Sequence, residues 1–342
     1  MAGQARTHTR AEILSQPEIW PVVLDELASA AAKLPAITDF TDVVFTGCGS
    51  THYLSMWAAR HCQRRHDVGA VGVPASELLL EPGTWLRPRA TFVVAVSRSG
   101  ETTETVRAVA EVRRHVDPFV VAITCAPRSS LAALADVVLP ATAAQERSIV
   151  QTRSFTSMML AAALLVEGPP PPMLGAQLAA AGQHVLQEHA DRIDDLARDP
   201  DLDHTVYLGL GPRFGLACEA MLKMKEMALQ ASEAYHTLEV RHGPMSTVGA
   251  RSLVVGIVPA GHHPHEHAVV ADMQALGART LTVQPGGLGA ATLPLPADLP
   301  AAWGDVCYLP PLQLLACDRA LHRGLNPDEP ANLDAVVQLG AV

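Results

Sequence analysis

Two short turns in the sequence carry side chains that suit the binding of an anion. One follows the apolar run 42–47, and the other, which reads Ser-Arg-Ser-Gly-Glu-Thr at 97–102, follows the apolar run 91–96. Each turn is expected to lead from a strand into a helix, where unpaired backbone N–H groups and a partial positive charge attract phosphate. Hydroxyl groups add further donors, and the charged guanidinium group of Arg98 adds paired N–H donors. The donors of this candidate phosphate cradle are Ser50, Thr51, Ser97, Arg98, Ser99 and Thr102.

Serine and threonine also favour helix N-caps, so one such turn alone would be read as a cap. Two turns rich in hydroxyl side chains, both at the carboxyl ends of strands in one parallel sheet where ligands bind, favour an anion site instead. A dinucleotide site is disfavoured, because His52 and Phe214 stand where the third glycine of Gly-x-Gly-x-x-Gly would fall.

Lys223 and Glu226 form the second candidate constellation. They lie three residues apart in an apolar stretch that is expected to be helical, so they share one helix face. The chain has 22 arginines but only three lysines, and two of the three lie in this turn. The pair is either a surface ion pair or, if the face enters a cleft, a proton-transfer pair. His242 lies shortly downstream, before a Gly-Pro step. A structural role and a catalytic role for this histidine are equally open.

Strands, turns and helices alternate along the chain, which predicts the α/β class with parallel sheets covered by helices on both faces. A Gly-Pro-Pro-Pro-Pro run at 168–172 separates two halves. Val44–Gly49 and Tyr207–Gly211 each run from an apolar strand through Gly-x-Gly into a predicted helix. The chain is therefore expected to hold two copies of one α/β unit.

Composition excludes several classes of function. The 342 residues are 49% hydrophobic with a net charge of -10 and no basic tract, which argues against nucleic acid as a partner. No apolar run approaches the roughly 18–20 residues of a membrane span, and the polar start is not a signal peptide, so a cytoplasmic protein is expected. Six scattered cysteines and the histidines of 262–267 lack the spacing of a metal site. Neither a metal nor another cofactor is implied.

Taken together, these residues resemble the sugar isomerase (SIS) domain family, specifically the isomerase half of glucosamine-6-phosphate synthase. The resemblance covers nearly the whole chain. The matching motifs are Glu12-Ile-x-x-Gln16-Pro17, Cys48-Gly49-Ser50-Thr51, Ser97-x-Ser99-Gly100-Glu101-Thr102, Lys223-x-Lys-Glu226, Glu233-Ala-Tyr235 and His242-Gly-Pro244.

The resemblance implies two SIS domains, each a parallel sheet sandwiched by helices in a flavodoxin-like three-layer arrangement, and a homodimer. The expected regions are a helical segment at 1–34, SIS domains at 35–167 and 201–325, a linker and helix at 168–200, and a tail over the active site at 326–342.

The resemblance also implies roles for individual residues. Glu226 would move a proton between C1 and C2 of the sugar, Lys223 would steady the enediol charge, and His242 of the neighbouring subunit would assist ring opening. The residues implied to bind the sugar phosphate are Cys48, Gly49, Ser50, Thr51, Ser97, Arg98, Ser99, Thr102, Ile149, Val150, Gln151 and Thr152.

Three departures from the synthase shape the expected function. The glutamine-hydrolysing domain has no counterpart in this chain, Ala335 takes the place of the Schiff-base lysine, and Arg98 replaces a glutamine and adds positive charge. We therefore expect a phosphosugar isomerase or deaminase acting on an amino-sugar or Amadori-type hexose phosphate through an enediol or enolamine. The alternatives are a non-catalytic phosphosugar sensor and an ammonia-dependent glucosamine-6-phosphate synthase.

Overall fold

The computed structural model describes residues 7–87 and 90–340. The strands are β1 (Asp42–Gly47), β2 (Gly69–Pro74), β3 (Thr91–Val96), β4 (Phe119–Thr124), β5 (Val137–Pro140), β6 (His204–Gly209), β7 (Ala231–His236), β8 (Ser252–Ile257), β9 (Arg279–Pro285) and β10 (Thr292–Leu295). The helices are α1 (His8–Leu14), α2 (Gln16–Ala31), α3 (Ser50–Arg65), α4 (Ala75–Leu80), α5 (Pro82–Trp85), α6 (Thr103–His115), α7 (Ser130–Ala133), α8 (Arg153–Glu167), α9 (Leu174–Glu188), α10 (Ala190–Arg198), α11 (Arg213–Ala228), α12 (Pro264–Ala275), α13 (Ala301–Gly304) and α14 (Leu309–His322). Short 3-10 turns cover Ile37–Asp39, Thr142–Ala144, Glu239–Arg241, Pro244–Thr247 and Asp305–Tyr308.

The strands form two five-stranded sheets with the same connectivity. The first has the order β2-β1-β3-β4-β5 and the second the order β7-β6-β8-β9-β10. Every neighbouring pair of strands is parallel. Helices pack against both sheets, so the predicted α/β class with two helix-flanked parallel sheets is confirmed.

The central strands are buried along their whole length because helices cover both faces of each sheet. All six residues of β3 and all six of β8 are buried. This explains why both strands have continuous apolar runs rather than the alternation of a half-exposed strand. Separate apolar cores form around Val93 and Val109 at the first sheet and around Val254 and Val269 at the second.

Within the helical segment expected at 1–34, two helices, α1 and α2, meet at Ser15. Pro17 has no N–H to donate to the Ile13 carbonyl, so the regular helical ladder cannot continue through this point. The side-chain amide of Gln16 donates to that carbonyl instead, at 2.9 Å. The linker and helix expected at 168–200 likewise contain two helices, α9 and α10.

The described residues fall into two compact units. The first-sheet unit holds 18–146, 153–176 and 334–340, and the second-sheet unit holds 7–17, 147–152 and 177–333. Each unit thus combines segments that are far apart in the sequence. The domain boundaries predicted from the sequence stay a prediction.

Candidate functional site

The two hydroxyl-rich turns lie next to each other at the carboxyl edge of the first sheet. β1 and β3 are neighbours, and the chain leaves them in opposite directions, toward β2 and toward β4. Ligands of open α/β sheets bind in the crevice at such a switch point. The Sγ atom of Cys48 lies 3.5 Å from the Oγ1 atom of Thr105 in α6, so the turn after β1 touches the helix that follows β3. The structure therefore brings both halves of the predicted cradle together within one unit.

Two glycines give the turns their shape. Gly49 and Gly100 have φ angles of 55° and 65°, in the left-handed region that favours glycine. A Cβ atom on Gly100 would lie 1.9 Å from the Oγ atom of Ser129. The turn after β3 is therefore packed tightly against the turn after β4.

Most cradle hydroxyls bond their own turn. The N–H of Gly100 donates to Ser97 Oγ at 3.1 Å, and the N–H of Glu101 donates to Ser99 Oγ at 3.2 Å. Thr51 Oγ1 accepts from the N–H of Cys48 at 2.9 Å. The cap interpretation accounts for these contacts. Thr102 is the N-cap residue of α6 but makes no side-chain cap bond, and its hydroxyl accepts from Ser97 Oγ at 3.5 Å.

Arg98 is held at both ends. Its carbonyl accepts from the Thr124 hydroxyl at 3.2 Å and from the N–H of Cys125 at 3.1 Å. Its Nη1 atom lies 3.4 Å from Oε2 of Glu146, whose side chain is fully buried. The positive charge expected from Arg98 is therefore paired with an acid that sequence reasoning missed. Nothing in the sequence around Glu146, which stands between Gln145 and Arg147, indicated that its carboxylate would contact Arg98.

The carboxyl-terminal tail lies beside the cradle in the first-sheet unit. The N–H of Thr103, the first residue of α6, donates to the Val337 carbonyl at 3.3 Å. The Nη2 atom of Arg98 donates to the Ala335 carbonyl at 3.4 Å. Since alanine has no amine, position 335 cannot form the Schiff base that the synthase resemblance would require.

Cys48 is half-buried, and burial is the main reason that the pKa of its thiol is raised. Since the thiolate is the nucleophilic form, this setting disfavours a nucleophilic role.

The predicted sugar-pocket segment, Ile149, Val150, Gln151 and Thr152, belongs to the second-sheet unit. Glu12 of α1 accepts from the N–H of Arg147 at 2.6 Å and from the Ser148 hydroxyl at 2.6 Å. Ser148 Oγ in turn donates to the Val150 carbonyl at 2.9 Å, and Gln313 of α14 donates to the Thr152 carbonyl at 3.3 Å. Two helices therefore fix the backbone of this segment.

Lys223 and Glu226 form a buried ion pair on α11. The Nζ atom of Lys223 donates to Oε2 of Glu226 at 2.6 Å and lies 3.1 Å from Oε1 of Glu219. The side chains of Lys223 and Glu219 are 0% exposed, and that of Glu226 is 17% exposed. The surface ion-pair interpretation is therefore wrong. Sequence reasoning missed Glu219, although its position four residues before Lys223 on a helix is a usable signal.

Lys223 stays protonated in this setting. Burial lowers the pKa of the Lys223 ammonium, but the charges of Glu219 and Glu226 outweigh burial, and the pKa lies above its ordinary value. A buried cation between two carboxylates can hold a base in place and stabilise negative charge that develops on a substrate.

His242 is exposed on a loop of the second-sheet unit. It follows the 3-10 turn Glu239–Arg241 and precedes Gly243, whose φ is 121°. Arg241 bonds Asp272 of α12 and so ties this loop to that helix. The structure places the imidazole at the surface of the chain.

Among residues 7–87 and 90–340, no group of three histidine, cysteine or acidic side chains could hold a metal ion. No helix in these ranges is both long enough and apolar enough to cross a membrane.

Comparison with known proteins now identifies the family. Residues 37–168 match the SIS domain model. The AgaS protein of Streptomyces coelicolor, provisionally assigned as a D-galactosamine-6-phosphate deaminase, is 31% identical over 94% of this chain and 91% of its own length. The chain belongs to the SIS domain family of phosphosugar isomerases and deaminases.

Other members of this family show the same relationship. The glutamine–fructose-6-phosphate aminotransferase of Zymomonas mobilis is 27% identical over 97% of this chain, which spans 58% of that enzyme's length. Two solved structures share the SIS fold across 97% of this chain. Glucosamine-6-phosphate deaminase of Thermotoga maritima has a TM-score of 0.81 at 26% identity, and its whole chain is covered. Tagatose-6-phosphate ketose/aldose isomerase of Escherichia coli has a TM-score of 0.86 at 25% identity, with 97% of its chain covered.

Proposed function

We propose that this SIS protein is a phosphosugar deaminase that acts on an amino-sugar or Amadori-type hexose phosphate by way of an aldose–ketose isomerisation. The buried Lys223–Glu226 pair is the observation that carries the proposal, since a sensor needs only the phosphate cradle. A relative that is provisionally assigned as a D-galactosamine-6-phosphate deaminase supports the same substrate class. We also propose that the protein works in the cytoplasm.

We assign phosphate binding to the cradle at the first sheet and proton transfer between C1 and C2 of the sugar to Glu226. Lys223 holds Oε2 of Glu226, and Oε1 takes the proton from C2 of the open-chain amino sugar. The electron pair forms the C1=C2 bond while the C1 carbonyl pair moves to O1, which gives an amino enolate whose negative charge Lys223 stabilises. Glu226 returns the proton to C1, and one proton moves from the amino nitrogen to O1, which leaves a neutral imine at C2. Addition of one water then releases ammonia and yields the ketose phosphate.

The test follows ammonia while the protein is incubated with glucosamine-6-phosphate, galactosamine-6-phosphate and a fructosamine phosphate. Glu226→Gln is expected to lower turnover by about a thousandfold and to leave phosphosugar binding within about twofold of wild type. Glu188→Gln, an exposed acid, is the control. Normal turnover by Glu226→Gln contradicts the proposal, and wild-type binding without turnover of any substrate favours a sensor.

We further propose a homodimer in which His242 serves the neighbouring subunit. An exposed His242 on a tethered loop supports this arrangement. Glu226→Gln and His242→Ala chains, each inactive alone, are expected to regain about a quarter of wild-type activity when reassembled together. Reassembled mixed dimers without activity contradict the shared site.

A further inference from the structure

Arg98 is a preorganised group. It is 8% exposed, although it lies in a turn at the edge of a sheet. The Thr124 hydroxyl and the N–H of Cys125 fix its carbonyl, so its side chain starts from a rigid point. A cation fixed before its ligand arrives loses little freedom on binding.

Glu146 faces Arg98 from the far side of β4. Its Oε2 atom lies 3.4 Å from Nη1 of Arg98 and also accepts from the Ser154 hydroxyl, so the carboxylate is itself held in place. The neighbouring cation Arg153 donates to the Gln145 carbonyl at 3.0 Å. The charged groups that act on the buried Cys125 are Glu146, Arg98, Glu26 and Arg153, two acids and two bases. The acids and the arginines that act on Cys125 are thus equal in number.

The contact between Arg98 and Glu146 is long for a charged hydrogen bond. Such bonds are typically about 2.7–2.9 Å. At 3.4 Å a phosphate oxygen can share the Arg98 guanidinium with Glu146 without a change in the position of the side chain.

We propose that Glu146 is the internal counterion of Arg98 and sets how tightly the cradle holds a phosphate. The proposal rests on the proposed function, since it assigns the first-sheet cradle to a phosphate group. Arg98 supplies the hydrogen-bonding fork, while Glu146 cancels its charge. Glu146 is thus a positioning residue that acts through Arg98. Its presence weakens phosphate binding and so favours release of a phosphorylated product.

The test measures the binding of inorganic phosphate by titration calorimetry in four proteins. Glu146→Gln keeps an acceptor for Arg98 but removes the opposing charge, so its Kd is expected to fall about five- to tenfold. Arg98→Gln leaves Glu146 facing the phosphate, so its Kd is expected to rise at least about tenfold. The double variant removes both charges together, and its Kd is expected to return to within about threefold of wild type.

A purely structural role for Glu146 predicts the opposite ranking. In that case Glu146→Gln binds no more tightly than wild type, and adding it to Arg98→Gln gives no recovery; either result overturns the proposal. If Glu146→Gln fails to fold, the comparison of Arg98→Gln with the double variant decides alone. Glu101→Gln is the matched control, because this exposed acid of the same turn bonds Ser130 rather than Arg98. Its Kd is expected to change less than about twofold.

The outcome also separates this proposal from the proposed function. If the wild-type protein binds neither phosphate nor a phosphosugar, both fall. If it binds phosphate but the four affinities do not follow the expected order, only the role of Glu146 is lost.

Discussion

The carboxyl edges of the two sheets follow the same backbone path with different side chains. The chain reads Gly-Cys-Gly-Ser-Thr after β1 and Gly-Leu-Gly-Pro-Arg after β6. A Cβ atom on Gly47 would lie 2.4 Å from Thr51 Oγ1, and one on Gly209 would lie 2.4 Å from the Arg213 carbonyl oxygen. Both turns therefore need glycine for the same reason, a close approach of the strand end to the following helix.

The helix starts at these edges differ in what they offer an anion. Ser50 and Thr103 begin α3 and α6 at the first edge. At the second edge, Pro212 precedes α11 and Pro264 begins α12. Proline has no N–H, so α12 lacks a donor at its first residue, whereas α3 begins with the hydroxyl group of Ser50.

Buried charged and hydroxyl groups occupy the second edge instead. Arg213, Thr237 and Glu266 are all at least nine-tenths buried. Burial raises the pKa of Glu266, and the nearby charges of Arg213, His263 and His267 only partly oppose the rise. One strand order thus supports two kinds of edge, which differ in the side chains at the helix starts.

The largest expected effect tests whether the second-sheet unit contributes chemistry rather than anion binding. Lys223→Met leaves Glu219 and Glu226 without their shared cation, so stability is expected to fall by about 3–5 kcal/mol. Turnover of the folded fraction is expected to fall by at least about a hundredfold. Lys225→Met is the matched control, because Lys225 is exposed on the same helix. Denaturant unfolding and the ammonia assay measure both effects, and equal behaviour of the two variants contradicts the assignment.

A smaller effect compares one threonine at each edge. Thr102→Val removes a cradle hydroxyl and is expected to weaken phosphosugar binding by about tenfold, the value of one hydrogen bond to a charged group. Thr237→Val at the second edge is expected to leave that affinity unchanged. Fluorescence or calorimetric titration checks both variants. Weaker binding by Thr237→Val would contradict the proposal, because it would place the phosphate site at the second sheet.

The smallest effect concerns the pH dependence of stability. Since the folded-state pKa of Glu266 is raised, proton binding stabilises the fold below the unfolded pKa, and this contribution is lost as pH rises through the folded pKa. Glu266→Gln removes this titrating group. The free energy of unfolding of the variant is therefore expected to increase relative to that of wild type as the pH rises from about 4 to 7. Denaturant unfolding across this range checks the trend, with Glu188→Gln as the control. A difference that does not vary with pH contradicts it.

The sequence was sufficient for the sheets and for the local motifs, because both depend on short-range patterns. The apolar run at 91–96 became a fully buried strand, and the hydroxyl turn at 97–102 lies where a parallel sheet places such turns. Pairings between distant segments had no such signal. Glu12 bonds residues 147 and 148, and Glu146 bonds Arg98, across separations that no periodicity encodes.

The exchange of chain ends between the compact units limits how this protein can be dissected. The helix at 8–14 belongs to the second-sheet unit, although it precedes the first sheet in the chain. Residues 334–340 belong to the first-sheet unit. A gene cut at the proline run would therefore yield two fragments that each lack a piece of their own unit and carry a piece of the other. Split versions of the protein should be stable only when both fragments are produced together. A circular permutant must keep residues 8–14 with the second-sheet unit and residues 334–340 with the first-sheet unit.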